Sequence, residues 1–189
     1  SFMHAVADTD GGGFGGLVSI GKFKPTAIVS GRTGAYVRDG VNMDAGALDV
    51  SAGKLGGDRV RYKADASSVV ANVALITIKD ALADATVSGA TEAYVGATNG
   101  QVRGGAPGAK LDISGPVDVN ARADIDADAD TDGGGGSFGV DVTGFGPVAE
   151  AGGATRAYAG DGLNVSTSEL TLKADGDANA EAELFNLSI

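Results

Sequence analysis

Hydrophobic and polar residues alternate one for one over most of this chain, in short runs separated by glycine. Val18 and Ile20, Ile76 and Ile78, and Val140 and Val142 stand two apart around a single polar residue, as do Thr33 and Ala35, Thr91 and Ala93, and Thr155 and Ala157. A period of two predicts β-strands with one face toward an interior. Leu48, Val50 and Ala52, and later Leu170, Leu172 and Ala174, are predicted to point inward. One segment, VVANVALITIKDALADA from Val69, could pass alone for an amphipathic helix, but its counterparts elsewhere are glycine-rich and β-patterned, so it too reads as strand.

The counterparts exist because the chain repeats itself. ADTDGGG at Ala7 returns at Ala129, and the same shift of 122 residues superposes Phe23 on Phe145, Pro25 on Pro147, Thr33 on Thr155, Tyr36 on Tyr158 and DGVN at Asp39 on DGLN at Asp161. A middle copy, ATVSGATEAYV at Ala85, follows AIVSGRTGAYV at Ala27 by 58 residues, and the next Tyr-to-Tyr step is 64. After each outer Tyr come a glycine turn and a two-strand signature, VNMDAGALDVSA at Val41 and LNVSTSELTLKA at Leu163, with AKLDISG at Ala109 as the middle remnant. The spacing varies at glycine-rich joints, GKLGGDRVRY at Gly53 and GATNGQVRGGAPGAK at Gly96. Constant strands joined by elastic loops predict a parallel β-solenoid of about three imperfect repeats, near 5–62, 63–126 and 127–189, forming a single tract. The alternative is tandem β-sandwich modules, which need more turn signals and larger core residues. Stacked repeats would bring Tyr36, Tyr94 and Tyr158 into a ladder, a packing device before it is a ligand-binding strip.

Composition narrows the function. The 189 residues carry 32 glycines, 5% aromatics and no tryptophan, so the interior must be thin and filled by small and β-branched side chains. Fourteen basic residues against 25 acidic give a net charge of −11, which disfavours nucleic acid and anionic membranes. Arg59, Arg61 and Lys63 are the only basic alternation and read as one face of a strand. No apolar run approaches the ~20 residues that span a bilayer, so no membrane insertion is expected. Cysteine is absent, which excludes disulfides and thiolate metal sites. The opening SFMH resembles a vector-derived start and the closing ELFNLSI stops within a β-pattern, which predicts a segment of a longer protein.

At the level of these units the chain resembles the repeat regions of large bacterial surface and secreted proteins of the filamentous-haemagglutinin and giant-adhesin type. TGAYVRDGVNMDAGALDVSA at Thr33, TEAYVG at Thr91 and TRAYAGDGLNVSTSELTLKA at Thr155 carry the resemblance, with the Ala/Asp-rich strands between them. It implies an extracellular or cell-surface location and a rod-like structural or adhesive stalk, without catalytic residues, that extends a tip or contacts surface glycan or matrix. The two long insertions depart from the pattern, as does Arg38, where the motif usually has glycine; function carried on loops stays open.

The candidate chemistry is acidic. ADIDADADTDGGGG from Ala123 contains D-x-D-x-D-G, the first half of a calcium loop, but position twelve counted from Asp128 is Gly139 and not the bidentate Glu that such a loop needs. The repeats thin the pattern to Asp8 and Asp10 in the first unit, ADASS in the middle one and ADGDANAEAE in the last. A strand with Ala inward and Asp outward accounts for all four, and leaves a row of repelling carboxylates that a calcium ion could relieve at Asp130 and Asp132 and, by analogy, Asp8 and Asp10. GGGFGG at Gly11 and GGGG at Gly133 lack the following helix and GK[ST] of a phosphate loop. His4 is the only histidine, so neither a serine–histidine–aspartate relay nor a histidine zinc site can be built. No enzyme and no required cofactor are expected; open β-ends suggest end-to-end homotypic association.

Overall fold

The structure, a computed structural model, describes residues 2–53, 59–97 and 108–188. The long insertions expected near Gly53 and Gly96 fall mostly outside the described residues. Alternation becomes thirteen strands among the described residues, with no helix. The segment from Val69 is strand and not helix: it lies in one strand to Ala81, and after Leu82 and Ala83 its last two residues open the next. Among the described residues no helix is long and apolar enough to cross a membrane.

Three sheets share these strands. The first pass runs through β1 (Phe2–Phe14) and β2 (Val18–Phe23) in the large sheet, β3 (Thr26–Val29) and β4 (Arg32–Val37) in the second, and β5 (Asn42–Ala45) in the third. The next returns through β6 (Leu48–Ala52), β7 (Val60–Ala81), β8 (Asp84–Val95) and β9 (Lys110–Ile113). Then follow β10 (Pro116–Phe145), β11 (Val148–Ala159) and β12 (Asn164–Ser166), and β13 (Glu169–Ser188) re-enters the large sheet. Every ladder is parallel. Sandwich modules are built from antiparallel pairs, so the alternative reading loses its footing.

Register follows the internal shifts. Thr33, Thr91 and Thr155 stand in one column and Tyr36, Tyr94 and Tyr158 in another, reproducing the spacings of 58 and 64. Ala7, Ala66 and Ala129 align across β1, β7 and β10, which is the shift of 122 taken in two steps. Glycine turns recur after the tyrosines: Gly40 and Gly162 hold φ of 76° and 71°, a left-handed corner that other residues resist.

The interior is as thin as composition requires. Between the large and second sheets lie columns of alanine with Val60, Tyr62 and Ile125; Val50, Leu111, Ile113 and Val117 fill the space toward the third. Tyr62 is the one bulky ring in the first cluster, and its hydroxyl is satisfied by the Ala90 carbonyl at 2.9 Å and by Thr33 and Thr91 at 3.2 and 3.1 Å.

One part of the fold reverses the usual polarity. Beyond Ser68, β7 folds back on itself, as do the β1–β2 corner and the far half of β10, making a two-layered tongue in which Gly11 meets Phe23, Gly13 meets Ser19, Gly21 meets Asn72 and Gly133 meets Phe145. Ser68, Asn72, Thr77, Lys79 and Thr131 are buried inside it, whereas Val18, Ile20, Ile78, Val140 and Val142 face out. Volumes inside the tongue compensate pass by pass. Gly11 lies under Phe23 and Gly133 under Phe145, where an added Cβ would sit 2.0 and 2.2 Å from the ring; the in-register middle pair is Val70 and Ala81. The glycine clusters therefore make room for phenylalanine.

Candidate functional site

The outer surface of the large sheet is where the sequence placed its chemistry. In Ala123–Thr131 every alanine is buried and every aspartate points outward, because extended backbone alternates its faces. Parallel in-register pairing then turns single residues into columns. Arg61, Asp124 and Asp177 share one; Lys63, Asp126 and Asn179 the next; Asp65, Asp128 and Glu181 the next; and Ser67, Asp130 and Glu183 the last of the acidic set.

The basic alternation of the middle pass lies between acidic neighbours. Arg59 reaches Asp124 at 2.8 Å and Asp175 at 3.0 Å, and Lys63 reaches Asp65 at 3.0 Å and Asp128 at 3.3 Å. His4, from the first pass, lies 2.7 Å from Asp65 through Nε2. Burial pushes the Asp65 carboxyl up, but hydrogen bonds with His4 and Lys63 outweigh it and hold the group below its ordinary value. Arg59 and Lys63, through Asp124, Asp175 and Asp128, bind successive passes together.

Farther along the face the cations run out. Asp130 is raised above the usual carboxylate range, first by loss of solvent and then by Asp128, Asp132, Glu181 and Asp65; Asp126 is raised by burial and by Asp128 and Asp124. Glu183 is raised through its hydrogen bond and repulsion with Glu181. A shallow depression lined by Lys63, Asp65, Ser67, Asp130, Glu181 and Glu183 marks the spot.

The four aspartates singled out for calcium do not converge. Asp8 and Asp130 both pair with Ser67 from opposite sides, and Asp10 and Asp132 both pair with Val69, so a whole strand separates each couple by roughly 9–10 Å. Asp130 and Asp132 are same-face neighbours about 7 Å apart on one strand. Among the described residues, no group of three or more His, Asp or Glu is placed to hold a metal ion.

The second sheet carries the aromatic column. Tyr36 and Tyr94 stack with centroids 5.1 Å apart and Tyr94 and Tyr158 at 5.0 Å, nearly parallel at 15° and 4°. Arg38 closes the first-pass end: its guanidinium lies 5.1 Å from the Tyr36 centroid and donates to the phenol oxygen at 3.1 Å. Beside the ladder, buried Glu92 takes Arg156 at 2.8 Å and Arg32 at 3.8 Å, one from each flanking pass. Burial and the two neighbouring phenols raise Tyr94 above its ordinary value. Sequence spacing located the ladder. It gave no hint of the Arg38 cap beyond the departure from glycine, nor of the Glu92 clamp, whose partners are 60 or so residues away in sequence.

Comparison with protein-family models, with curated proteins and with solved structures finds no match. What the geometry defines by itself is an all-β protein of parallel sheets with ion pairs that join one pass to the next.

Proposed function

We propose that the chain is a parallel β-solenoid of about three imperfect coils, and that it works as a non-catalytic, extracellular structural or adhesive segment of a large bacterial surface protein. The observation that carries this reading is the cyclic visit to the three sheets with equivalent residues in register, best seen in the Tyr36, Tyr94 and Tyr158 column. Long parallel ladders resist shear along their whole length, and the stacked ion pairs and rings add cross-links between coils. The acidic face keeps such a rod soluble. A pulling experiment between attachment points at residues 2 and 188 tests it: a spacer yields at high force in a few cooperative steps, and extension at the low force of an unstructured polymer would sink the reading. Binding to glycan- or matrix-coated surfaces then separates adhesive stalk from passive spacer.

A second reading, a fibre subunit stacking end to end, is supported by the inner face of β13. Leu170 and Leu172 continue the buried Val117 and Val119 columns, yet are 39% and 44% exposed because no pass covers them. Light scattering at rising concentration tests this; a chain that stays monomeric does not form fibres. Calcium-dependent binding through Asp130 and Asp132 is tested by calorimetry and a melting curve with and without calcium, and no heat and no shift would dispose of it.

A further inference from the structure

In the layer of the tongue made by β2, Ile76–Ala81 and Val140–Phe145, polar side chains turn inward beside the phenylalanines and β-branched ones turn outward. Ser19, Thr77 and Asp141 form one inward column, and Thr77 donates to Asp141 at 3.0 Å inside the layer, while Lys79, wholly buried, lies 3.5 Å from the same carboxylate. Opposite them, on the outer face of the same three strand segments, stand Val18, Ile76 and Val140 in one column and Ile20, Ile78 and Val142 in the next. Val18, Ile20, Val140 and Val142 are 52–70% exposed. No charge lies on the outer face of this two-by-three array; the first charges on that face are Lys22 and Asp80, paired with each other at 3.1 Å at its rim. Leu17 and Leu75, next along the strands from Val18 and Ile76, add exposed apolar surface at the corner, while Phe138 lies in a separate hollow with Val73 and Leu187.

We infer that this face is an interface for a second copy of the chain, packed sheet to sheet through the Val/Ile array. Three observations choose that occupant. With Leu17 and Leu75 the patch amounts to on the order of 700 Å² of apolar surface, close to what each partner of a standard stable interface contributes and more than a monomer ordinarily leaves uncovered. Its β-branched side chains stand in straight columns on a pleated surface, the form that interdigitates with another such surface about 10 Å away. A bilayer is the wrong partner: β2 and the Val140–Phe145 segment of β10 are edge strands in the tongue, and hydrocarbon does not tolerate rows of unpaired backbone groups. A face meeting its own copy forms a two-fold, self-complementary contact, which places Ile78, on the middle strand, nearest the axis. This contact is lateral and made by side chains, so it is separate from stacking through backbone edges at the ends.

Sedimentation equilibrium from micromolar to submillimolar protein tests it. The expected mass rises from the 18.5 kDa of one chain toward twice that value and stops there. Replacing Val18, Ile20, Val140 and Val142 together by Thr keeps β-branching, and is expected to weaken association at least about tenfold with the circular dichroism unchanged. Because the chain has no cysteine, I78C offers a second measurement that does not depend on the Thr variant folding. Under mild oxidation it should cross-link to a covalent dimer much faster than D130C on the acidic face. A chain that is monomeric throughout the series, association undiminished in a folded Thr variant, or cross-linking of I78C no faster than of D130C would each overturn the proposal. Flotation of monomeric chain with phosphatidylcholine vesicles would overturn it in favour of a lipid surface.

Discussion

At the scale of single residues, the glycines of the tongue show how one sequence can carry its own packing record. Gly11 with Phe23, Val70 with Ala81, and Gly133 with Phe145 are three ways of filling the same space. G133V should therefore push a side chain into the Phe145 ring and cost more than about 2 kcal/mol, as overpacking does, while G133V with F145A rebuilds the middle pair and should recover most of it. Chemical denaturation of the two variants measures the difference. The charged residues give a second expectation. Asp126, Asp130 and Glu183 have carboxyls raised in the folded chain, so they favour folding when protonated, and that contribution is lost as pH rises through their folded values. Asp65 and Asp141 are lowered despite burial, by His4 and Lys63 in one case and by Thr77, Thr143 and Lys79 in the other. Their contribution is present above the unfolded value and is lost as pH falls through the folded one. The melting temperature should thus climb on going from neutral pH to the carboxylate range, then drop in stronger acid; a monotonic fall from pH 7 downward would contradict it. D130N should flatten the climb.

At the scale of strands, the tyrosine column is the clearest packing unit. Tyr94 is buried between two parallel rings, so Y94A removes both stacks and leaves a cavity; a loss of about 3–5 kcal/mol is expected in denaturant melts. R38G, which puts there the glycine that Gly96 and Gly160 supply in the other two passes, removes only the cap and should cost far less than Y94A in the same melts, since the guanidinium is exposed. The strands also show what a sequence can tell. Periodicity of two, with shifts of 58, 64 and 122, was enough to place Thr33 beside Thr91 and Tyr36 beside Tyr94, because parallel in-register pairing copies sequence spacing into space. Periodicity says that two faces differ and leaves open which one is inside. Val18 and Ile20 look like core residues, and the fold puts them outside, because the tongue's interior is set by glycine, phenylalanine and the Lys79–Asp141 pair. Likewise the aspartate spacing read correctly as an outward row, but the intervening Ser67 and Val69, which hold Asp8 away from Asp130 and Asp10 from Asp132, become visible only through register.

For the whole molecule, the ends decide how copies could add. A second copy stacked in register would lay its β2, β4 and β5 on the uncovered edges of β10, β11 and β12 and continue the tyrosine column above Tyr158. Its β1 would meet an obstacle. Phe2 aligns with Arg61, Arg61 with Asp124, and Asp124 with Asp177, so residues 2–13 of the newcomer and 177–188 of the resident claim one place. That overlap, together with the carboxylates of Asp177, Glu181 and Glu183, guards the end against addition. A chain shortened after Gly176 should consequently polymerise at lower concentration than the full chain, measured by light scattering; equal behaviour would mean that the far half of β13 is no barrier.

Three phenol rings held face to face about 5 Å apart are also three coupled chromophores. Their near-ultraviolet transitions should split and yield a circular-dichroism couplet that an isolated phenol cannot produce. The couplet would vanish in Y94F only in part, in Y94A altogether, and would grow with each further coil laid on Tyr158, so that an optical signal intrinsic to the chain reports the alignment of its layers without any label.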